Sequence, residues 1–424
     1  MTADTFTLVF AVSLVLSLAL RFWLSARQIR HVARHRDTVP AAFAGSVSIE
    51  AHRKAADYTI AKARFSQLSM AFGAVVLLGW TLFGGLDALD RWLRGVVVPL
   101  AGSRAYEVAL VMAVVAIGAL VDLPFEMWST FRLEQRFGFN RMTWRLYLSD
   151  LVKGAVIALL IGTPIAAAIL GIMAAAGSLW WLWAWIAWTV FMVLALVVVP
   201  TFIAPLFNRF EPLADASLRE RVEALMARAG FAAKGLFVMD GSRRSAHANA
   251  YFTGLGRAKR VVFYDTLLAR LVPAEVEAVL AHELGHFRLR HIGKRIASTL
   301  AISFLGFALL GWLASRSWFY AGLGVAPSLS GVNNALALVL FMLVVPVYGV
   351  FLSPLLSGLS RRHEFEADAY ASRLADGGQL ASALLKLHAD NATTLTPDPL
   401  VARFYYSHPP AAERLAALAA ATAH

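Results

Sequence analysis

Long apolar segments constrain this chain most, because each is long enough to cross the hydrocarbon layer of a membrane as a helix. The sequence contains seven such segments, near residues 5–24, 67–87, 105–125, 154–176, 179–203, 297–315 and 333–357. The chain is 59% hydrophobic and only 16% charged, whereas an average soluble domain is about a quarter charged. We therefore predict a mainly α-helical membrane protein with seven transmembrane helices.

The basic residues predict how these helices are oriented. The first and third connecting loops are rich in arginine and lysine, and such loops belong on the cytoplasmic side. With seven helices, the N-terminus is then outside, and the catalytic insert and the C-terminus are cytoplasmic. Membrane topology thus explains the net charge of +12, and nucleic acid is not expected as a partner. The excess of arginine over lysine is typical of GC-rich genomes, so we expect a bacterial inner membrane.

Two polar stretches interrupt the membrane pattern. A cytoplasmic insert, residues 204–296, lies between the fifth and sixth helices, and a cytoplasmic tail, residues 358–424, follows the seventh. Helices one to five then occupy residues 1–203, and helices six and seven occupy residues 297–357. Within the insert, the sequence pattern predicts a helix over Ala214–Ala229, strands at Leu236–Met239, Asn249–Thr253 and Arg260–Tyr264, and a helix from Pro273 to about Arg290.

One motif carries chemistry, the run His282-Glu283-Leu284-Gly285-His286 in the last helix of the insert. Residues four apart lie on one helical face, so both imidazoles can reach the same ion. The chain has no cysteine, so any metal must be held by His, Asp or Glu. Zinc would activate a water molecule, and Glu283 would take its proton as the water attacks a peptide carbonyl. The motif therefore predicts a metallopeptidase with one zinc ion per chain.

A catalytic zinc site needs three protein ligands, so a third must come from elsewhere in the chain. The best candidate is Glu364, with Asp368 one helical turn further on. A carboxylate at position 368 suits a metal site, because a metal-binding histidine usually donates its second ring N–H to a carboxylate. His363 and Glu366 compete with Glu364 for the ligand role, and spacing alone leaves the choice open.

Several short stretches, taken in order, resemble the integral-membrane CAAX prenyl protease type I family, whose members are gluzincin metalloproteases. The resemblance is carried by Phe131–Asn140 with Thr143, Ile203–Asn208, Asn249–Tyr251, the zinc motif, Ser360–Asp368 and Ser407–Pro409. It implies a seven-helix membrane barrel around a water-filled chamber, closed on the cytoplasmic side by a zincin-type domain. That domain is expected to contain a small β-sheet. The implied activity is cleavage near the C-terminus of prenylated or other membrane-associated peptides.

The resemblance also implies roles that spacing does not. Glu364 would be the third metal ligand, and Asp368 the carboxylate behind a ligating histidine. His408 would donate a hydrogen bond to the tetrahedral oxyanion, and Arg414 would lie near the site. Taken alone, His408 is typical of a loop and Arg414 of a surface. The edge strand that would pair with an extended substrate is implied at Asn249, Ala250 and Tyr251.

Other functions must be weighed against this one. A site-2-type intramembrane protease also has a His-Glu-x-x-His helix, but that helix lies in a hydrophobic span, whereas charged residues flank the motif here. The bacterial heat-shock membrane protease shares the zinc motifs but has only four spans. Broad-specificity quality control of membrane proteins is the main alternative to prenyl-peptide cleavage. A catalytically idle scaffold or transporter is disfavoured, because the ligands, the base and the supporting carboxylate are all present.

Overall fold

The computed structural model describes residues 1–231, 235–253, 260–328 and 333–422, and helices dominate it. The helices are α1 (Ala3–Arg34), α2 (Ile49–Trp80), α3 (Gly85–Trp128), α4 (Trp144–Ala175), α5 (Trp180–Val198), α6 (Ala204–Phe207), α7 (Ala216–Arg228), α8 (Asp265–Leu268), α9 (Pro273–Arg288), α10 (His291–Ala314), α11 (Ser317–Ala321), α12 (Asn334–Leu374), α13 (Gly377–Asp390), α14 (Pro399–Tyr405) and α15 (Ala411–Thr422). The strands are β1 (Phe210–Pro212), β2 (Leu236–Met239), β3 (Ala250–Thr253) and β4 (Arg260–Tyr264).

Within the described ranges, six helices are long and apolar enough to cross a membrane. They are α1, α3 with the π-helical turn that follows it, α4, α5 with its flanking turns, α10 and α12. The second predicted span, 67–87, differs from the structure, because α2 ends at Trp80 and α3 begins only at Gly85. Because Arg64 and Gln67 are polar, the apolar part of α2 is also shorter than that of the six helices above. The six helices indicate an integral, multi-pass membrane protein.

The membrane helices pack around one apolar core. Fully buried side chains come from α1, α3, α4, α5, α11 and α12, among them Phe10, Leu110, Leu170, Ala184, Phe319 and Leu340. Helix α3 is interrupted at Gly102, whose φ of 81° lies in the left-handed region that glycine adopts without strain. The long helix therefore consists of two shorter segments that meet at a kink at Gly102.

A cavity of about 400 Å³ lies between α1, α2, α3 and α12. Most of its lining is apolar, but Arg21 and Asp122 also face it. The Arg21 guanidinium donates a hydrogen bond to the carbonyl oxygen of Pro346, 3.1 Å away. Charged groups at membrane depth need water or a partner, and this cavity provides space for water. The larger chamber implied by the resemblance stays a prediction.

The insert contains the four-stranded sheet, in the order β1-β2-β4-β3. Strand β4 runs parallel to β2, with Leu236 opposite Val261, and the other two pairings are antiparallel. The predicted strands and the predicted helices of the insert are all present, with ends that differ by at most two residues. Strand β1 was not predicted, because three residues that include Pro212 give no strand pattern.

A second apolar core joins the insert to the tail. Leu225, Phe263 and Leu280 of the insert belong to the same buried cluster as Leu384 of α13 and Leu418 of α15. The two stretches that the membrane helices separate in sequence therefore fold against each other. The predicted domain limits at residues 203/204, 296/297 and 357/358 remain predictions.

Polar contacts fasten this unit to the membrane helices. The Arg244 guanidinium donates to both carboxylate oxygens of Asp150, at 2.9 and 3.1 Å, and to Oδ1 of Asn208 at 2.9 Å. The Ala246 backbone N–H donates to the carbonyl oxygen of Phe139 at 3.0 Å, and Nε2 of His247 lies 3.7 Å from Oε2 of Glu134. Phe139 and Glu134 lie in the first of the stretches that carry the family resemblance. That stretch therefore joins the insert to the membrane helices.

Candidate metal centre

The helix that carries the zinc motif, α9, is fixed at its first turn. Pro273 occupies the start of the helix, where a missing N–H leaves no hydrogen bond unmade. The buried Glu275 carboxylate accepts hydrogen bonds from the Val272 backbone at 2.9 Å, from Ser382 at 2.7 Å and from Lys386 at 2.8 Å. Since Ser382 and Lys386 belong to α13, this carboxylate ties the zinc helix to the tail.

Helices α9 and α12 approach each other closely at Gly285. A Cβ placed there would lie 3.0 Å from the Cα and 3.1 Å from the carbonyl oxygen of Ala367, closer than side chains normally pack. The glycine between the two motif histidines therefore lets the end of α12 lie directly against α9. This contact places Glu364 opposite those histidines.

Three side chains converge between the two helices: His282, His286 and Glu364. The two Nε2 atoms are 3.2 Å apart, and the Glu364 oxygens lie 3.4 Å from Nε2 of His282 and 3.3 Å from Nε2 of His286. Two ligand atoms about 2.1 Å from a tetrahedral zinc ion are about 3.4 Å apart, so the spacing fits one ion. Oε2 of Glu364 is buried and has no hydrogen-bond partner in the described part of the chain. A metal ion would satisfy it.

A buried ion pair supports His282 from behind. Nδ1 of His282 lies 2.8 Å from Oδ1 of Asp368, so this ring nitrogen donates to the carboxylate. Arg414 donates to the same carboxylate from Nε at 2.8 Å and from Nη2 at 2.5 Å. Asp368 is 2% exposed and Arg414 is 5% exposed. Burial disfavours charge on His282, but the neighbouring carboxylates of Asp368 and Glu364 raise its pKa to about 9, so the pocket favours a positive charge.

Glu283 lies on α9 next to His282. It is half-buried, and this burial raises the pKa of its carboxyl above the usual range of glutamic acid. A general base works best when its pKa is closer to the operating pH than that of an exposed carboxyl. The environment of Glu283 thus suits a residue that takes a proton from water.

His408 reaches the open side of the cluster. Its Nε2 lies 3.5 Å from Oε1 of Glu364, and its side chain is 64% exposed. The preceding segment is held by Arg361, whose guanidinium donates to the carbonyl oxygens of Ala402 and Tyr406, both at 2.9 Å. His408 is therefore accessible to a substrate but carried by a fixed backbone.

The three predicted substrate-binding residues lie at an edge of the sheet. Strand β3 pairs with β4 on one side, and no described strand pairs with its other side. The Asn249 side chain is exposed, whereas Ala250 and Tyr251 are half-buried. The next residue, Phe252, packs against Phe231, with ring centroids 5.0 Å apart, and Phe231 packs against Phe287 of α9. The edge strand is thus linked to the zinc helix by aromatic packing.

The two competing ligand candidates point elsewhere. Oε2 of Glu366 lies 3.0 Å from Nε2 of His291, and the His363 ring stacks on the His291 ring, 4.1 Å between centroids. Neither side chain belongs to the converging group. Sequence reasoning missed His291, although a histidine five residues after His286 was a signal that could have drawn attention to it.

Comparisons with known proteins agree with this architecture. Residues 28–209 match the family model of the CAAX prenyl protease N-terminal domain, which is described as five membrane helices, and residues 212–422 match peptidase family M48. CAAX prenyl protease 1 of Saccharomyces cerevisiae is 33% identical over 93% of this chain and 91% of its own. A CAAX prenyl protease 1 homolog of Arabidopsis thaliana is 33% identical over 93% of each chain. The crystal structure of S. mikatae Ste24p superposes with a TM-score of 0.91 at 32% identity, covering 97% of this chain and 99% of that one.

Proposed function

This chain belongs to peptidase family M48 and carries the membrane domain of the CAAX prenyl proteases, and from that premise we propose a zinc endopeptidase with Glu283 as general base. It is a membrane metalloprotease that acts on peptides or proteins. The observation that carries the zinc assignment is the convergence of three ligand atoms, all within 4.8 Å of one another, beside that carboxylate.

In the proposed mechanism, His282, His286 and Glu364 hold the ion. When bound, zinc supplies the Lewis acidity that makes a water molecule reactive near neutral pH. Glu283 takes a proton from the attacking water at its carboxylate and delivers it to the nitrogen of the leaving amine.

The remaining predicted residues stabilise the oxyanion or orient the His282 ring. His408 donates from Nε2 to the oxygen that becomes negative when water adds to the carbonyl, and its exposed position leaves room for that oxygen. Asp368 and Arg414 keep the His282 ring in the orientation that directs Nε2 toward the ion. Neither of these two residues needs to touch the substrate.

The proposed substrate is an extended peptide that adds to the free side of β3, through Asn249, Ala250 and Tyr251. Backbone pairing of this kind recognises an extended chain, not one particular side chain. A lipidated C-terminus would tether such a peptide to the bilayer, and the names of the relatives support a prenylated CAAX sequence as the target. We also propose that the metal centre faces the cytoplasm, since the basic loops are expected on that side.

The zinc mechanism is tested on detergent-purified protein by metal analysis and peptide cleavage. Glu283→Gln should retain one zinc ion per chain and lose about 10²–10⁴-fold in kcat, because only the proton acceptor is removed. His282→Ala should lose both zinc and activity. Full turnover by Glu283→Gln would disprove the assignment of the base. Stoichiometric zinc in wild-type protein that cleaves no peptide would favour an idle scaffold instead.

Lipid specificity needs a separate experiment. The rates of cleavage of a farnesylated peptide and of its unlipidated twin should be compared at equal concentration in the same detergent. A higher kcat/KM for the farnesylated peptide supports prenyl-peptide cleavage. Equal rates would favour quality control of membrane proteins, the function expected if the natural membrane contains no prenylated substrate.

A further inference from the structure

The outer face of His286 contacts a second histidine that the mechanism above does not use. Nδ1 of His286 lies 3.0 Å from Nδ1 of His291, and Nε2 of His291 lies 3.0 Å from Oε2 of Glu366. His291 is 4% exposed. The three groups therefore form a continuous chain from the motif to a carboxylate on α12.

Hydrogen-bond chemistry fixes the proton positions along this chain. A histidine that binds a metal through Nε2 carries its proton on Nδ1, so His286 is the donor in its contact with His291. Nδ1 of His291 must then be the acceptor, and its proton lies on Nε2. That proton is donated to Glu366, and the other carboxylate oxygen of Glu366 accepts from Nε of Arg362 at 2.9 Å. Each group thus has a partner of the complementary type.

The backbone between the two histidines holds this geometry. Helix α9 ends at Arg288 and α10 begins at His291, and Arg290 between them has a φ of 57°. A non-glycine residue in this left-handed region costs about 1–2 kcal/mol, so the tight turn needs compensating contacts. Stacking of the His291 ring on His363, 13° from parallel, is one such contact.

We propose that His291 is a positioning residue for the metal: it orients the His286 ring and transmits to it the hydrogen bond of Glu366. The other ligand histidine has the same support in a shorter form, because Asp368 contacts His282 directly. The inference rests on the proposed metal site. In this role His291 contacts neither the substrate nor the reacting atoms.

Zinc affinity, measured by competition with a chelator in detergent-purified protein, tests the proposal without reference to activity. His291→Phe preserves a ring that can stack on His363 but removes the acceptor, and should weaken zinc binding about 10–100-fold. His291→Asn places Oδ1 where Nδ1 stood, so it should recover zinc affinity to within about threefold of wild type. Unchanged affinity in His291→Phe would overturn the proposal. So would a His291→Asn variant that binds zinc as weakly as His291→Phe.

Two further measurements separate positioning from simple destabilisation. The melting temperature of each metal-free variant reports its folding, and a positioning role requires that zinc affinity falls in variants that melt with the wild type. Glu366→Leu provides a second route if His291→Phe does not fold. It removes the acceptor of the His291 Nε2–H together with the exposed partner of Arg362, and it should weaken zinc binding several-fold, whereas no change would contradict the proposal. A wild-type protein that binds no zinc would instead refute the proposed function itself.

Discussion

The two histidines of the zinc motif have opposite surroundings. His282 rests on Asp368 and Arg414, which are among the most buried charged residues that the structure describes. His286 rests on His291, behind which Glu366 is 33% exposed and Arg362 is 78% exposed at the side chain. His282 contacts the carboxylate of Asp368 directly through Nδ1, whereas His286 contacts through Nδ1 a histidine that a carboxylate holds in place. The groups behind His282 are buried in the interior, whereas the carboxylate behind His286 lies near the surface.

This difference predicts unequal consequences of mutation. A buried charge that loses its partner cannot be solvated, so breaking the inner ion pair costs several kcal/mol. A carboxylate near the surface exchanges its partner for water at little cost. The inner side should therefore determine both stability and metal affinity, and the outer side mainly metal affinity.

The largest expected effect is that of Asp368→Ala, which removes the carboxylate that accepts the hydrogen bonds of the buried Arg414 guanidinium and leaves it only Glu364, 3.7 Å away. The free energy of unfolding should fall by about 3–5 kcal/mol, and zinc should be lost at concentrations that saturate the wild type. Thermal denaturation of metal-free protein in detergent measures the first change, and metal analysis measures the second. Glu366→Ala on the outer side is the matched control and should cost less than about 1 kcal/mol. Equal destabilisation by the two variants would remove the contrast between inner and outer sides.

His408→Ala should have the next largest effect, and it acts on rate instead of stability. The side chain lies on the open side of the cluster, so zinc content and melting temperature should stay at wild-type values. Loss of one donor to the oxyanion should lower kcat about 10²-fold with little change in KM. Steady-state kinetics on one peptide substrate provides the measurement. A change confined to KM would mean that His408 binds substrate and does not stabilise the transition state.

Sequence could predict those residues of this centre that helical spacing pairs with one another. His282 and His286, like Glu364 and Asp368, are four residues apart, and that spacing places each pair on one face. Their partners His291 and Arg414 depend on a left-handed turn at Arg290 and on the path of the tail. Long-range placement of this kind has no periodic signature. Arg414 was expected near the site only through the family resemblance.

The same limit applies to the fold. Runs of apolar residues predicted six of the helices that can span a membrane, because length and hydropathy are local properties. The predicted second span continued past Trp80, since the turn before Gly85 contains Leu82 and Phe83 and no charged residue marks it. The contact between Arg244 and Asp150 joins residues 94 positions apart and could not be inferred from either neighbourhood. Sequence thus predicted most of the elements and the three side chains that converge, and the structure supplied the contacts that hold them together.

Arg361→Gln should have a smaller effect than His408→Ala, transmitted through the backbone. Its guanidinium donates to carbonyl oxygens of Ala402, Arg403 and Tyr406, which lead to His408. Losing charged hydrogen bonds of about 1.5–3 kcal/mol in total should loosen this segment and lower kcat about tenfold. Zinc affinity should be unchanged, since none of these carbonyls touches a ligand. A loss of zinc would show that the segment supports the metal as well as His408.

Arg362→Gln, one residue further, should have the smallest effect and is the matched control for Arg361→Gln. Both substitutions remove one arginine from the same turn of α12, but the Arg362 side chain is 78% exposed and pairs only with Glu366 in the described structure. A surface ion pair of this kind contributes about 0–1 kcal/mol, so stability and kcat should stay close to wild type. Zinc affinity is the informative measurement, because Glu366 loses one donor but keeps its contact with His291. A fall of more than about threefold, or roughly 0.7 kcal/mol, would show that the outer side depends on surface charge as strictly as the inner side does on its buried pair.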